Sequence, residues 1–291
     1  MEVVYGHTDS IYIKVESIEQ AHASLKEIND YVRESFPNVL GLDEHPVVLE
    51  FEKYFSSLGV GITKNRNAGL ISWEDGVFLE EPKFTMTGFT AKRMSETPLA
   101  KRIQTTVLKM WVDGNTEDSI VDYCREEYLK TLNGENSITD VVKRSRLKEN
   151  RFAVKCSCNR KYNMMEIYDL QYCTKCAKLK KHFTTLDGKR PTIGSGIAGM
   201  LYGNEELNFK YDNSYIYMKI IPTGFYTNPL TNERRSAEWV AGTTFTDLEK
   251  FTPDWGHYAE QVISKAQPIF DAMGWQSIRI KNKQKTLDEW W

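Results

Sequence analysis

The first 36 residues arrange their hydrophobic positions in two successive patterns. Residues 3–6 and 11–14 are rich in β-branched and aromatic side chains, and they flank the polar stretch His7-Thr8-Asp9-Ser10. Because such runs favour an extended backbone and the polar stretch favours a tight turn, the pattern predicts a β-hairpin with Asp9 at its tip. Over residues 17–36 apolar positions recur every three or four residues, which predicts an amphipathic helix.

The apolar runs that follow predict further β structure. Residues 47–52 are typical of a strand, and residues 54–62 and 70–73 predict a second hairpin around the basic segment 64–69. Two hairpins covered by one helix would form half of a sheet, and one edge of it would lack a hydrogen-bonding partner. We therefore expect a partner chain to pair with that edge.

Beyond residue 94 the spacing of apolar positions is mainly helical. It predicts helices over residues 99–112, 117–131 and 254–273, and a strand over residues 215–221. The predicted fold class is therefore α+β, with strands near the N-terminus and mostly helices after them.

Charge is distributed unevenly along the 291 residues. The net charge is −2, yet residues 141–190 contain 14 Lys or Arg and 4 Asp or Glu. A basic block in an otherwise acidic chain indicates a nucleic-acid contact, and a solvated basic face explains the same composition. No apolar run approaches the roughly 18 residues of a membrane-spanning helix, and the charged N-terminus is unlike a secretory signal. We expect no membrane partner.

Four of the five cysteines form two close pairs. Cys156 and Cys158 are followed, after fourteen residues, by Cys173 and Cys176. This spacing is typical of a zinc ribbon, in which four thiolates bind one structural Zn²⁺, and two redox-active dithiols are the alternative. Cys124 is expected to be an inert core thiol. Such cysteine usage fits a reducing compartment, so we expect a cytoplasmic location, nucleoid-associated if the chain is archaeal.

Asp9 is the strongest candidate for chemistry. A carboxylate at a hairpin tip is a good metal ligand because the strands hold it rigidly, although an ordinary surface turn has the same spacing. The sequence of residues 5–10, Tyr-Gly-His-Thr-Asp-Ser, resembles the Tyr-Gly-Asp-Thr-Asp-Ser palm motif of family B DNA polymerases. The resemblance implies that Asp9 binds catalytic Mg²⁺, with Thr8 and His7 beside it in the catalytic site. Because imidazole is a poor ligand for Mg²⁺, we expect His7 to line the site or contact the primer end.

In that family a second aspartate on another palm strand completes the metal site, and the sequence contains no such motif. We therefore expect the C-terminal palm and thumb part of a polymerase, similar to the small subunit of a split archaeal-type enzyme. Such a chain would share Mg²⁺ with a larger subunit and be inactive alone. A truncated gene or an intein-split gene would look the same.

Two later segments resemble DNA-binding motifs of the family. Residues 64–69 are similar to its Lys-Lys-Arg-Tyr-x-Gly motif, with asparagines in place of the second lysine and the tyrosine. Residues 87–93 are similar to the segment in which the palm passes into the thumb, and the helix from residue 254 resembles a thumb helix. Cations on turns neutralise phosphates and glycine permits close backbone approach. The resemblance thus implies duplex contacts by Lys64, Arg66, Gly69, Lys92 and Arg93.

Residues 194–199 match the pattern Gly-x-Gly-x-x-Gly, which occurs in dinucleotide-binding sites. Such a site needs a preceding strand, whereas residues 187–191 are typical of a turn. We expect a close-packed loop or a helix start instead.

The C-terminal residues 284–291 resemble the sliding-clamp interaction motif, Gln-x-x-aliphatic-x-x-aromatic-aromatic. One helical turn would bring Leu287, Trp290 and Trp291 to one side and leave Gln284 for a polar pocket. The resemblance implies a clamp of the proliferating cell nuclear antigen type as partner. Packing of the tail on its own domain is the alternative.

These observations predict a partial palm of β-hairpins and one helix, followed by a mostly helical thumb with an inserted zinc-ribbon-like module. The expected function is that of a DNA-directed DNA polymerase subunit that uses Mg²⁺ and Zn²⁺. Its expected partners are primer–template DNA, deoxynucleoside triphosphates, a larger polymerase subunit and a clamp. A non-catalytic processivity protein with a degenerate palm is the alternative. The expected domains are the partial palm (1–93), thumb helices (94–150), insert (151–182), remaining thumb (183–275) and clamp-binding tail (276–291).

Overall fold

The computed structural model describes residues 2–7, 9–146, 154–163, 166–167, 170–207 and 214–282. The chain divides into two units by its internal contacts. The first unit comprises Met1–Phe89, Thr105–Tyr123 and Ala266–Trp291, and the second comprises Thr90–Gln104 and Cys124–Lys265. Within the described residues, no helix combines the length and the apolar character that crossing a membrane requires.

The first unit begins with the predicted hairpin. Strand β1 (Glu2–His7) pairs antiparallel with β2 (Ser10–Lys14), and the register joins Gly6 to Ile11. The predicted helix follows as α1 (Ile18–Ser35). It begins there because the Ser17 side chain accepts a hydrogen bond from the Gln20 N–H at 3.2 Å, which satisfies a backbone donor of the first turn.

The prediction of a strand over residues 47–52 is wrong, because regular pairing with a neighbouring strand begins only at Lys53. The backbone of Leu49 is bound instead by the Asn29 side chain of α1. Asn29 accepts from the Leu49 N–H at 2.8 Å and donates to the Leu49 carbonyl at 3.0 Å. Since both polar groups of Leu49 are satisfied by one side chain, this segment follows the helix and joins no ladder.

The second predicted hairpin is confirmed and has one strand more than expected. Strands β3 (Lys53–Val60), β4 (Asn67–Glu74) and β5 (Val77–Thr87) form an antiparallel sheet in the order β3-β4-β5. The two hairpins do not form one half-sheet, because among the described residues β1 and β2 pair only with each other. They meet through side chains, with the Tyr12 and Phe55 ring centroids 5.9 Å apart.

Helices α2 (Pro98–Val112) and α3 (Glu117–Leu132) confirm the predicted pair, and the short helix α4 (Ile138–Val141) follows. In the first unit, Trp111 of α2 lies over Gly59 of β3. A Cβ atom at Gly59 would be 2.3 Å from the Trp111 ring, so only glycine fits beneath this indole.

The second unit contains a three-stranded sheet and a small two-stranded module. Its sheet order is β12-β9-β6, built from β6 (Lys143–Arg146), β9 (Ser214–Lys219) and β12 (Trp239–Gly242). The cysteine-bearing module contains β7 (Val154–Lys155) and β8 (Lys161–Tyr162). A separate pair joins β10 (Phe225–Thr227) to β11 (Arg234–Ser236). The predicted strand at residues 215–221 is β9, which ends two residues earlier.

The remaining helices are α5 (Ser195–Leu207), α6 (Phe245–Leu248), α7 (Trp255–Met273) and α8 (Ile278–Lys281). The Gly-x-Gly-x-x-Gly segment lies at the start of α5, as expected for a helix start. A Cβ at Gly199 would lie 3.1 Å from the Val240 carbonyl carbon, so this glycine lets α5 approach β12 closely. Helices and small sheets together confirm the α+β class.

Candidate metal and nucleic-acid sites

The hairpin brings Asp9 to an exposed position in the turn between β1 and β2. The Ser10 hydroxyl donates a hydrogen bond to Asp9 Oδ1 at 3.4 Å. His7 ends β1 by its backbone, whereas Thr8 and the His7 side chain lie outside the described residues. A solvent-accessible carboxylate of this kind suits a hard divalent cation.

A cavity of about 600 Å³ opens beside the hairpin. Asp9, Glu50 and Glu52 are the carboxylates among its lining residues, and Tyr12 and Phe55 belong to its apolar walls. Burial raises the pKa of Tyr12, and the neighbouring Tyr5, Glu52 and Asp9 add to this rise. Lys14 and Lys53 line the cavity as well, so its carboxylates outnumber its lysines by one. Among the described residues, however, no group of three or more metal-ligating side chains includes Asp9.

The basic turn, residues 64–66 between β3 and β4, carries two of the predicted DNA contacts. Lys64 is exposed and Arg66 is half-buried. The Gly61 N–H donates to the Arg66 carbonyl at 2.8 Å and closes the turn, in which Asn65 has a left-handed φ of 63°. The Tyr5 hydroxyl donates to Asn65 Oδ1 at 3.4 Å, so the hairpin that carries Asp9 contacts the basic turn directly.

Gly69 lies apart from these cations, buried inside β4. A Cβ there would be 2.7 Å from the Ser57 carbonyl oxygen and from the Phe55 ring. The absence of a side chain at Gly69 is thus required by the packing of β3 on β4.

In the second unit, Lys92 and Arg93 are exposed at the end of a 3₁₀ turn that spans Thr90–Lys92. The Gln104 side-chain oxygen accepts hydrogen bonds from the Thr90 hydroxyl at 3.1 Å and from the Ala91 N–H at 2.7 Å. This buried amide fixes the turn from behind, so the two cations project from a rigid segment.

A second support of the same turn comes from α7. Lys265 Nζ donates to Thr90 Oγ1 at 3.0 Å and pairs with Glu96 at 2.9 Å, and these two charged side chains are only 14% and 16% exposed. Sequence patterns do not predict these supports, because residues 96 and 265 are far apart in the chain.

The four predicted cysteines come together in the second unit. Their sulfur atoms lie within 4.8 Å of one another, and they form a group that could hold a metal ion. Cys156 Sγ is 3.5 Å from Cys176 Sγ, and Cys158 Sγ is 3.5 Å from Cys173 Sγ. Four sulfurs around a tetrahedral Zn²⁺, with Zn–S bonds of about 2.3 Å, lie about 3.8 Å apart. The observed spacing fits such a site, and it is too long for disulfide bonds.

Each cysteine pair is followed by a residue with left-handed backbone. Asn159 follows Cys158 with φ 65°, and Ala177 follows Cys176 with φ 56°. In each case a backbone hydrogen bond closes a tight turn. The Asn159 N–H donates to the Cys156 carbonyl, and the Ala177 N–H donates to the Cys173 carbonyl, both at 2.9 Å. Two matching tight turns thus aim the thiols at a common centre.

Hydrogen bonds prepare one of these thiols for metal binding. Burial raises the pKa of Cys173, but bonds from the Tyr162 hydroxyl and from the N–H groups of Lys175 and Cys176 outweigh it and lower the pKa to about 6. The Tyr162 hydroxyl is 3.1 Å from Cys173 Sγ. Since the thiolate is the form that binds metal, this setting favours a ligand role. Burial, followed by the charge of Glu127, raises the pKa of Cys124 to about 12, as expected of a core thiol.

The predicted clamp-binding residues Gln284, Leu287, Trp290 and Trp291 lie outside the described residues. A search among curated proteins gives no match. A family model described as DNA polymerase family B matches residues 1–273, from the hairpin of Asp9 to the end of α7. The match covers most of the chain and agrees with the motifs at Asp9 and at the basic turn. The chain therefore belongs to DNA polymerase family B.

Proposed function

We propose that the chain is a DNA polymerase subunit that supplies Asp9 to the catalytic metal site and grips the primer–template duplex. The observation that carries this proposal is the contact between Tyr5 and Asn65, at 3.4 Å. It joins the carboxylate-bearing hairpin to the turn of Lys64 and Arg66. A polymerase needs this combination, a metal-binding carboxylate beside cations that hold the DNA phosphates.

Membership of the family implies DNA and nucleotides as substrates and nucleotidyl transfer as the reaction. A primer 3′-hydroxyl attacks the α-phosphate of a deoxynucleoside triphosphate, the new P–O bond forms, and pyrophosphate leaves. Asp9 would hold Mg²⁺, which neutralises the phosphates and favours ionisation of the hydroxyl when it is bound. Lys64, Arg66, Lys92 and Arg93 bind backbone phosphates and keep the duplex in position, which lowers the entropic part of the barrier.

We further propose that another polypeptide segment, carried by a larger partner chain, completes the metal site. A two-metal site needs more than one carboxylate close to the ions, and Asp9 belongs to no three-ligand group among the described residues. Within the described chain, β2 pairs with β1 alone and β3 with β4 alone, so each sheet keeps an open edge with which a strand of another chain could pair. A strand inserted in the cavity of about 600 Å³ would carry its carboxylate toward Asp9.

The test is primer extension by the chain purified together with its partner. Asp9→Ala is expected to lower the rate by on the order of 10²–10³, the scale seen when one preorganised electrostatic group is lost. Asp43→Ala, which removes an exposed carboxylate of the same unit, is the matched control and should retain full activity. Equal rates for the two variants would refute the catalytic role of Asp9.

His7 favours one alternative, a non-catalytic processivity protein with a degenerate palm, because it occupies the position of a family aspartate. This alternative predicts normal extension with Asp9→Ala, together with a loss of processivity when Lys64 and Arg66 are both changed to Gln. Measuring rate and product length in the same reactions separates the two functions.

We propose that the C-terminal residues bind a sliding clamp. Replacing both Trp290 and Trp291 by Ala is expected to weaken clamp binding by about 30-fold or more, since the loss of even one buried aromatic anchor costs about 2 kcal/mol. Thr286→Ala changes a spacer position of the motif and serves as the control. Unchanged affinity of the double variant in a surface-binding assay would contradict the proposal.

We propose that the four cysteines hold one structural Zn²⁺. Metal analysis of freshly purified protein should find about one equivalent. Cys173→Ser should lose it, whereas Cys124→Ala should retain it, because Cys124 is a buried thiol outside the cluster. Far less than one equivalent in the unmodified protein would favour redox dithiols.

A further inference from the structure

A second basic site lies beside the cysteine cluster, in the second unit. We name it the basic groove: a cavity of about 540 Å³ between residues 180–184 and the turn of residues 230–233, with Arg190 at its border. It is distinct from the basic turn of residues 64–66 and lies largely within the basic block of residues 141–190.

The positive charge of the basic groove comes from neighbouring side chains of one short segment and from one arginine. Lys180, Lys181 and His182 form a 3₁₀ turn, and Arg190 lines the same cavity. The single carboxylate among the lining residues, Glu233, already pairs with Arg235 at 2.9 Å. Glu233 also interacts with the charge of Arg190, but the lysine and arginine side chains that line the groove outnumber this one carboxylate, so the groove keeps a net positive charge.

The wall of the basic groove is tied to the cysteine-bearing hairpin. Thr184 exchanges two backbone hydrogen bonds with Lys155, at 2.7 and 3.0 Å. Phe183 stacks on Tyr162, with ring centroids 5.2 Å apart and an interplanar angle of 10°. Tyr162 in turn bonds the Cys173 thiol. The cations of the groove are thus held on a rigid base, which lowers the entropic cost of binding an anion.

The chemistry of the groove favours phosphates over bases or apolar groups. Its largest apolar side chains, Phe183 and Leu230, are 3% and 5% exposed, so they offer no surface on which a base or an apolar peptide side chain could stack. Lys181 is exposed and forms no ion pair among the described residues, and Arg190 is exposed as well. Lys180 is only 5% exposed, so the accessible lysine and arginine cations of the groove are Lys181 and Arg190. A pair of cations without an apolar platform recognises a sugar–phosphate backbone without reading its sequence.

We propose that the basic groove binds the phosphate backbone of a DNA strand, as a contact additional to those of the basic turn. The proposal rests on the proposed polymerase function, since it takes primer–template DNA as the ligand. In this proposal the role of the cysteine module is to hold the residues that form the groove in place.

The experiment measures the salt dependence of DNA binding by fluorescence anisotropy, with the full-length chain and labelled primer–template duplex. Changing both Lys181 and Arg190 to Gln should reduce the slope of log K against log salt by about 1.8, because each lost phosphate contact on duplex DNA contributes about 0.9. With single-stranded DNA the reduction should be about 1.4. A reduction seen with only one of the two ligands identifies the form of DNA that occupies the groove.

Lys189→Gln is the matched control, because Lys189 adjoins Arg190 but pairs with Asp187 at 3.6 Å and does not line the groove. It should leave the slope unchanged. Lys181→Arg with Arg190→Lys, which keeps both charges, should restore the slope of the unmodified chain. Unaltered metal content and circular dichroism verify that each variant is folded.

Several outcomes would overturn the proposal. An unchanged slope in the double Gln variant, with a reduced slope in a variant that has Gln at Lys64 and Arg66, rejects the groove and leaves the proposed function intact. Absence of DNA binding by the unmodified chain rejects both. A labelled oligoglutamate peptide that loses affinity for the double Gln variant, while DNA binding stays normal, assigns the groove to acidic peptides instead.

Discussion

Gly88 packs against the basic turn, and its substitution tests how rigidly the cations that we propose to contact DNA are held. Gly88 has a φ of +77°, and a Cβ built there would be 1.9 Å from the Asn65 carbonyl oxygen. Asn65 lies between Lys64 and Arg66. The perturbation is Gly88→Ala, and Gly76→Ala is its control, because Gly76 has a φ of +90° but no atom within 4 Å of a Cβ.

The expected magnitude separates into a backbone part and a contact part. An L-residue in left-handed backbone costs about 1–2 kcal/mol, and this part is common to both variants. At Gly88 the added Cβ must also retreat by about 1 Å from a backbone oxygen, and overpacking of this kind costs about 1–3 kcal/mol. Gly88→Ala should therefore destabilise the sheet by about 2–5 kcal/mol, against about 1–2 kcal/mol for Gly76→Ala.

Hydrogen exchange of the backbone amides of β4 (Asn67–Glu74) measures this difference locally. Since about 1.4 kcal/mol corresponds to a factor of ten, these amides should exchange roughly 5- to 100-fold faster in Gly88→Ala than in Gly76→Ala. Duplex affinity should fall in Gly88→Ala alone, because the displaced Asn65 carries the neighbouring cations with it. Exchange rates within about twofold of each other would refute the reasoning that Gly88 positions the basic turn.

Three further predictions concern the second unit. Tyr258→Phe should lower the free energy of unfolding by about 1–3 kcal/mol in urea titrations. The buried hydroxyl accepts a 2.6 Å hydrogen bond from the Lys219 N–H, and in the variant this N–H would have no acceptor. A change below about 0.5 kcal/mol would contradict this. Lys265→Met should cost about 2–3 kcal/mol, since it leaves the largely buried Glu96 carboxylate unpaired, and the double change with Glu96→Gln should recover part of the loss. Burial and then the charge of Lys219 lower the pKa of His257. As the pH falls through about 6.5, the unfolded state therefore binds a proton before the folded state does, and the free energy of unfolding should decline. His257→Gln should reduce this decline, and an identical pH profile would rule out the assignment.

The sequence predicts those features of the fold and the sites that depend on neighbouring residues. The hairpin of Asp9, the basic turn and the cysteine cluster all arise from short segments whose side chains favour one backbone path. The strand expected over residues 47–52 fails for a longer-range reason, since Asn29 binds both polar groups of Leu49. Apolar spacing contains no information about such a side-chain contact.

Strand β5 (Val77–Thr87) is not predicted from the sequence, for a related reason. Its middle holds two glutamates, a proline and a lysine, which interrupt the alternation of apolar residues. The strand exists because β4 offers it a partner: Leu70 pairs with Phe84 and Gly69 with Thr85. Pairing between strands, like the buried ion pair of Lys265 and Glu96, depends on which segments meet in space, and local composition does not specify that.

The open edges of the two small sheets have a consequence for assembly. If a partner strand fills the cavity beside Asp9, the last step of folding is bimolecular, and the thermal midpoint of the first unit should rise with the concentration of the partner. The same edges, with Val39 and Leu40 exposed nearby in sequence, would promote aggregation of a chain made in excess. Balanced synthesis of the two chains would then be a condition for solubility.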